Sequence, residues 1–462
     1  MNAQPQSTRT TALTAHDTIL SLPYRSFERE PLVLSFATNI HSFGTVKMEL
    51  EQADDSSYTT EGLAPLSWAA KGGHEAVVKL LLERDDVNPN TTDEHGKTPL
   101  FIAAGEGHEG VVKMLLERVD VNADPVNEYG QTALWIAVEE GNEGVVKILL
   151  ERNDINPDTA ANNGETPLFV AARQGHEGVV KILLERNDID PNITTNDGRT
   201  PLFVAARSGN EGVVEVLLER DDVNPNIPNQ FGETALFGAA YNGHEGVVKV
   251  LVGRADVNPN TPSDSGATPL LGATWGGHEG VVRILLEQGD INPDAADHYG
   301  QTPLFEAAWD GHNRIVKMLL ERSDVNPNAV NKEGETPFFA AARSDQGSVV
   351  EMLLERDDVN PNTANKCGET PLSEAACNGH ERIVKMLLER VEVNSDMTDL
   401  AGETALSRAL KKEHHAIVKL LSERKTIIPQ SDGDKSTAFS SPEPPDPDQH
   451  PSKGSAGFDA RH

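Results

Sequence analysis

From Gly62 to Gly402 a glycine recurs every 34 residues, with Gly96, Gly130, Gly164, Gly198, Gly232, Gly266, Gly300, Gly334 and Gly368 between them, and no insertion breaks the spacing. A strict period of that length marks a stacked array. One such unit cannot bury its apolar face alone, so it buries that face against the next unit and the core grows along an axis. That architecture accommodates a chain of 462 residues, more than one closed core ordinarily supports.

The second copy shows the unit: Gly96-Lys-Thr-Pro-Leu-Phe-Ile-Ala-Ala-Gly-Glu-Gly-His-Glu-Gly-Val-Val-Lys-Met-Leu-Leu-Glu-Arg, followed by an Asp-Val-Asn turn. Thr98 sits where a hydroxyl caps the free amides of a short helix, and Pro99 follows at the first helical position, where its missing donor costs nothing. Leu100, Ala103 and Ala104 form the buried stripe of this helix, the alanines being small enough for the neighbouring copy to approach closely. Gly107 closes it in a conformation other residues resist. A second helix holds Val111, Val112, Leu115 and Leu116 on one face and leaves Glu109, Lys113, Glu117 and Arg118 for water. The Asp-Val-Asn-Pro-Asn of most copies joins an extended valine to turn formers, so it reverses the chain into a finger.

The order Thr-Pro-Leu, Gly-His, Val-Val, Leu-Leu, Asp-Val-Asn resembles the ankyrin repeat, in eleven copies from residue 62 to about 424. The resemblance implies an all-α repeat solenoid, an ankyrin array of helix–turn–helix units with hairpin-like fingers. A tetratricopeptide array shares the period but carries aromatic and Phe-Pro markers that do not occur here. Two features depart from the family pattern: one extra residue in the turn, and phenylalanine where the family has histidine after Thr-Pro-Leu. Phe101, Phe169, Phe203, Phe237, Phe305 and Phe339 fill that slot, and so regular a ladder reads as packing between copies.

An array must end in copies that face water. The eleventh does so by placing Arg408, Lys411, Lys412, Glu413, His414 and His415 at apolar or glycine positions. Copy one lacks the capping threonine, having Ala64, and residues 31–61 read as an N-terminal cap or degenerate repeat. Residues 1–30 are expected to be disordered, as is the acidic Pro- and Ser-rich tail at 425–462. Copy nine has Asp345-Gln346 in place of Gly-His, and copy six puts Gly253 in the second helix. Both are candidate soft joints.

Chemistry is hard to find. Seven histidines, His74, His108, His176, His244, His278, His312 and His380, recur at one repeat position, so neighbours stand about 10 Å apart, the spacing of packed helices, and read as structural. His414-His415 reads as a solvated cap. No phosphate loop, nucleophile elbow, His-Glu-x-x-His helix or kinase signature occurs, and the carboxylates read as outward, solubilising charge. We expect no enzyme, metal or cofactor. Asp-Val-Asn is similar to a context hydroxylated on asparagine in some ankyrin proteins, although turn formation explains the residue.

A net charge of −33, from 73 acidic and 40 basic side chains, repels phosphate backbones and anionic lipid, so neither nucleic acid nor membrane is expected as a partner. Two cysteines, Cys367 and Cys377, form no framework and suit a reducing compartment. With no secretory leader, and with Pro31–Phe43 too short to span a bilayer, an intracellular site, cytoplasmic or nuclear, is expected.

In the ankyrin family partners lie along the concave face, touching the fingers and the ends of the first helices. The resemblance therefore nominates the residue after Ala-Ala, which runs Lys71, Gly105, Glu139, Arg173, Arg207, Tyr241, Trp275, Trp309, Arg343, Cys377, Lys411. Three consecutive rings flanked by arginines differ from a chain that is only 5% aromatic. Trp, Tyr and Arg are the residues enriched at interface hot spots. Packing of one or more rings against the next copy is the other reading. Tyr129, Phe231 and Tyr299, each just before a repeat glycine, would line the same groove. The expected function is a monomeric scaffold that binds another protein through an acidic segment carrying hydrophobic anchors. Alternatives are a transcriptional coregulator or inhibitor acting through a bound regulator, a recruiting adaptor, or the orphaned sensor array of a larger signalling protein.

Overall fold

The computed structural model describes residues 63–427, in which two helices per copy follow one another from Pro65–Lys71 and Glu75–Leu82 to Ala405–Lys411 and His415–Ile427, with no strand among the described residues. The cap, tail and disorder expected at 1–30, 31–61 and 425–462 lie outside these residues, apart from the last turn of the final helix.

Local chemistry sets each element. In ten copies the threonine hydroxyl caps the first helix by accepting the amide three residues on, as at Thr200, which accepts from Phe203 at 3.0 Å. Ala64 makes no such bond. The repeat glycine turns the finger: Gly232 stands at φ 74°, and a Cβ there would lie 2.6 Å from the Asp264 amide of the next finger. That amide donates to the Phe231 carbonyl at 2.8 Å, so the fingers are tied together through their backbones.

First helices pack on first helices and second on second, which draws one continuous core from Leu66 to Leu421. The phenylalanine ladder is buried throughout, as packing between copies requires. Trp135 takes that slot in copy three, and its indole N–H donates to the Glu165 carbonyl at 3.1 Å.

Three expectations need correction. Arg118 is not simply turned to water: it forks onto Asp120 and donates from Nη1 to the Leu82 carbonyl of the previous copy at 2.9 Å. Arg152, Arg186, Arg254, Arg322 and Arg356 repeat the clasp, satisfying carbonyls that the helix end leaves orphaned. Gly253 is the C-cap of Glu245–Val252 rather than an interior residue, so copy six loses its reason to be soft. Copy nine keeps one, because Asp345 adopts φ 59° where the other copies largely use glycine. Arg408, finally, is not a water-facing cap residue. Its side chain folds onto copy ten, 2.9 Å from Glu369 and 3.2 Å from Glu374.

Candidate functional site

The last turn of each first helix carries the nominated row, and the loop histidines hold it in place. His278 Nε2 contacts the Tyr241 carbonyl at 3.0 Å, His244 that of Arg207 at 2.9 Å, His380 that of Arg343 at 2.9 Å and His176 that of Glu139 at 3.1 Å. A carbonyl only accepts, so these contacts put the proton on Nε2. Where the loop residue is Asn142 or Asn210, the side-chain amide donates to the equivalent carbonyls. The carbonyls of Lys71, Gly105, Glu139, Arg173, Arg207, Tyr241, Trp309, Arg343 and Cys377, all in the last turn of a first helix, are thus answered by a side chain of the following copy.

The aromatic residues are not equivalent. Tyr241 is 47% exposed and stacks on the buried Phe237, with centroids 6.2 Å apart and planes at 11°. Trp309 is 36% exposed and has the Arg343 guanidinium 5.5 Å from its ring centroid, a cation–π contact. Trp275 is half-buried against Phe237 of the preceding copy and Ala267 and Leu271 of its own, so this ring is packed on its inner side and presents less of itself than Tyr241. Gly272 and Gly238 in the same two helices bring no side chain, and a Cβ on Gly272 would press to 3.3 Å of Phe237.

The arginines divide as well. Arg173 pairs with Glu165 at 2.7 Å and Glu139 at 3.5 Å. Arg343 pairs with Glu335 at 2.8 Å and Glu374 at 3.6 Å. Arg207 is exposed and has no carboxylate partner among the described residues. The finger-tip rings of Tyr129, Phe231 and Tyr299 stand well out into solvent; each follows a turn in which Asn127, Asn229 or Asp297 accepts the ring residue's own amide through Oδ1.

One residue in this region escaped the sequence reading. Glu306, on the helix Pro303–Asp310 that ends beside Trp309, is only 8% exposed, contrary to the expectation that carboxylates face outward. Burial, reinforced by the negative charges of Asp310 and Asp297, pushes its carboxyl up to about 7, while a hydrogen bond from the Trp275 indole acts in the opposite direction. The signal was present: Ile102, Ile136, Val170, Val204 and Ala340 hold this slot elsewhere.

Among the described residues no helix is long and apolar enough to cross a membrane, and no three His, Cys, Asp or Glu side chains converge as a metal site would require. Comparison with known families returns a match to the model described as ankyrin repeats (three copies), in overlapping segments from 34–125 through 154–229 and 256–331 to 340–432. No curated protein matches the chain.

Proposed function

The chain belongs to the ankyrin-repeat family, whose repeats are generally protein–protein interaction modules and typically non-catalytic, and from that premise we propose that it is a scaffold binding a partner protein along the row at the ends of its first helices. The observation that carries this reading is the exposure of Tyr241 and Trp309 on a backbone that the loop histidines and amides fix from the next copy. Large rings held on a rigid surface offer contact area at little conformational cost.

Arg207, without a carboxylate partner among the described residues, would take a carboxylate from the partner. Arg173 and Arg343 already have carboxylates, so they contribute shape and stacking more than charge. Tyr129, Phe231 and Tyr299 would line the finger side of the same surface. In this reading the partner carries apolar anchors with an acidic residue toward copy five, while the chain's net charge of −33 disfavours other acidic molecules. The test is the affinity of a partner captured by the full chain for the Tyr241→Ala, Trp309→Ala double variant. Loss of roughly 2 kcal/mol, the hot-spot scale, is expected, and unchanged affinity would place the site elsewhere.

A further inference from the structure

Glu306 and Glu374 occupy the same slot two copies apart, and each is 8% exposed. Their neighbours decide what each can do. At Glu374 the array supplies cations: Arg408, in the same slot one copy on, approaches to 3.2 Å, and Arg343, ending the first helix one copy back, to 3.6 Å. Arg408 also lies 2.9 Å from Glu369, so the guanidinium sits between two carboxylates.

The residues that correspond around Glu306 are Ala340, Trp275 and Gln301. A methyl group replaces the first arginine, an indole the second, and a neutral amide the outer carboxylate. The charged groups that act on Glu306 are Asp310 and Asp297, both negative. A carboxylate withdrawn from water without a cation is unfavourable, and here the repeat geometry that brings a guanidinium to Glu374 brings none. The surroundings suit one from outside. Trp275 borders the carboxylate, and Trp309, one turn further along the same helix as Glu306, already carries a guanidinium over its ring.

We propose that Glu306 docks a basic side chain, arginine or lysine, of the bound partner, which completes from outside the ion pair that the array completes internally at Glu374. The inference rests on the reading of this row as the partner surface. It adds an order to the partner's chemistry: a carboxylate for Arg207, apolar anchors for the rings, and a cation at copy eight. It also gives specificity, since a partner lacking the cation would bury Glu306 unpaired.

The probe is a phage library of random peptides long enough to span three copies, selected on the full-length chain and on its Glu306→Gln variant. The wild-type chain should enrich peptides with apolar anchors and a basic residue at fixed spacing from them. On Glu306→Gln the basic preference should vanish while the apolar consensus stays, and the wild-type consensus peptide should bind at least about tenfold more weakly. Ala340→Arg, which places in copy nine the residue that copy eleven uses, should weaken the same peptide similarly by occupying the dock from within. Selection of no basic residue, or equal selection by both chains, overturns the proposal; the groove reading then stands if Tyr241→Ala with Trp309→Ala still abolishes binding. Failure of the wild-type chain to enrich any peptide overturns both.

Discussion

His278 Nε2 lies 3.0 Å from the carbonyl oxygen of Tyr241 in the preceding copy. One loop residue thereby satisfies the end of a helix and fixes the backbone under a candidate contact ring. Asn142 and Asn210 make the same bond with an amide, to the carbonyls of Gly105 and Arg173, so the slot needs a donor at that reach rather than an imidazole. His278→Asn is expected to be close to neutral. His278→Ala should cost about 1 kcal/mol, the usual net worth of such a bond, with chemical-shift changes centred on Tyr241. Equal melts for the two variants would contradict this account of the ladder.

The turns between copies make a comparable prediction. Asn192 donates from its side chain to the Asp222 carbonyl at 2.7 Å and accepts from the Asn224 amide at 2.8 Å. In the same slot Asp124, Asp158 and Asp294 keep the second bond but lose the first, leaving Oδ1 buried without a partner. Burial raises each carboxyl above its ordinary value. Asp158→Asn should therefore stabilise the array by about 0.5–1.5 kcal/mol near neutral pH. The sign follows from linkage: a raised folded-state pKa favours the protonated form, so the defect grows as pH rises and the gain from asparagine shrinks toward pH 4. Denaturant melts at the two pH values check it.

Glu306 should show the same sign over a wider window. Its folded carboxyl titrates at about 7 against an ordinary 4.5, so its contribution is most favourable below pH 4.5 and is lost as pH rises to 7. Glu306→Gln should remove that loss, melting higher than the wild-type chain at pH 8 and about equally at pH 4. Parallel pH profiles for the two chains would mean that the carboxylate is already solvated or paired.

Much of this fold was legible in one repeat. The threonine cap, the phenylalanine ladder and the left-handed glycines are local or nearest-neighbour features that recur along the array, and a period makes such features plain. What the sequence left obscure are differences between copies, which acquire meaning only through side chains one repeat away. Glu306 looks like any other carboxylate until Ala340 and Trp275 are seen in place of Arg408 and Arg343. Trp275, Tyr241 and Trp309 look alike in register, yet Trp275 packs on Phe237 and Leu271, where a side chain at position 272 would press on Phe237. Gly253 looked interior because the helix stops at Val252, a boundary that pattern alone places only within a residue or two.

The central claim is that partner affinity resides at the ends of the first helices of copies six to eight. It is tested most directly by titrating a captured partner against the wild-type chain and the Tyr241→Ala, Trp309→Ala variant, with melting curves and helical spectra recorded for both. The account predicts a loss of roughly 2 kcal/mol in binding with the melting temperature and spectrum nearly unchanged, because both rings are substantially exposed. Wild-type affinity in a folded double variant would contradict it.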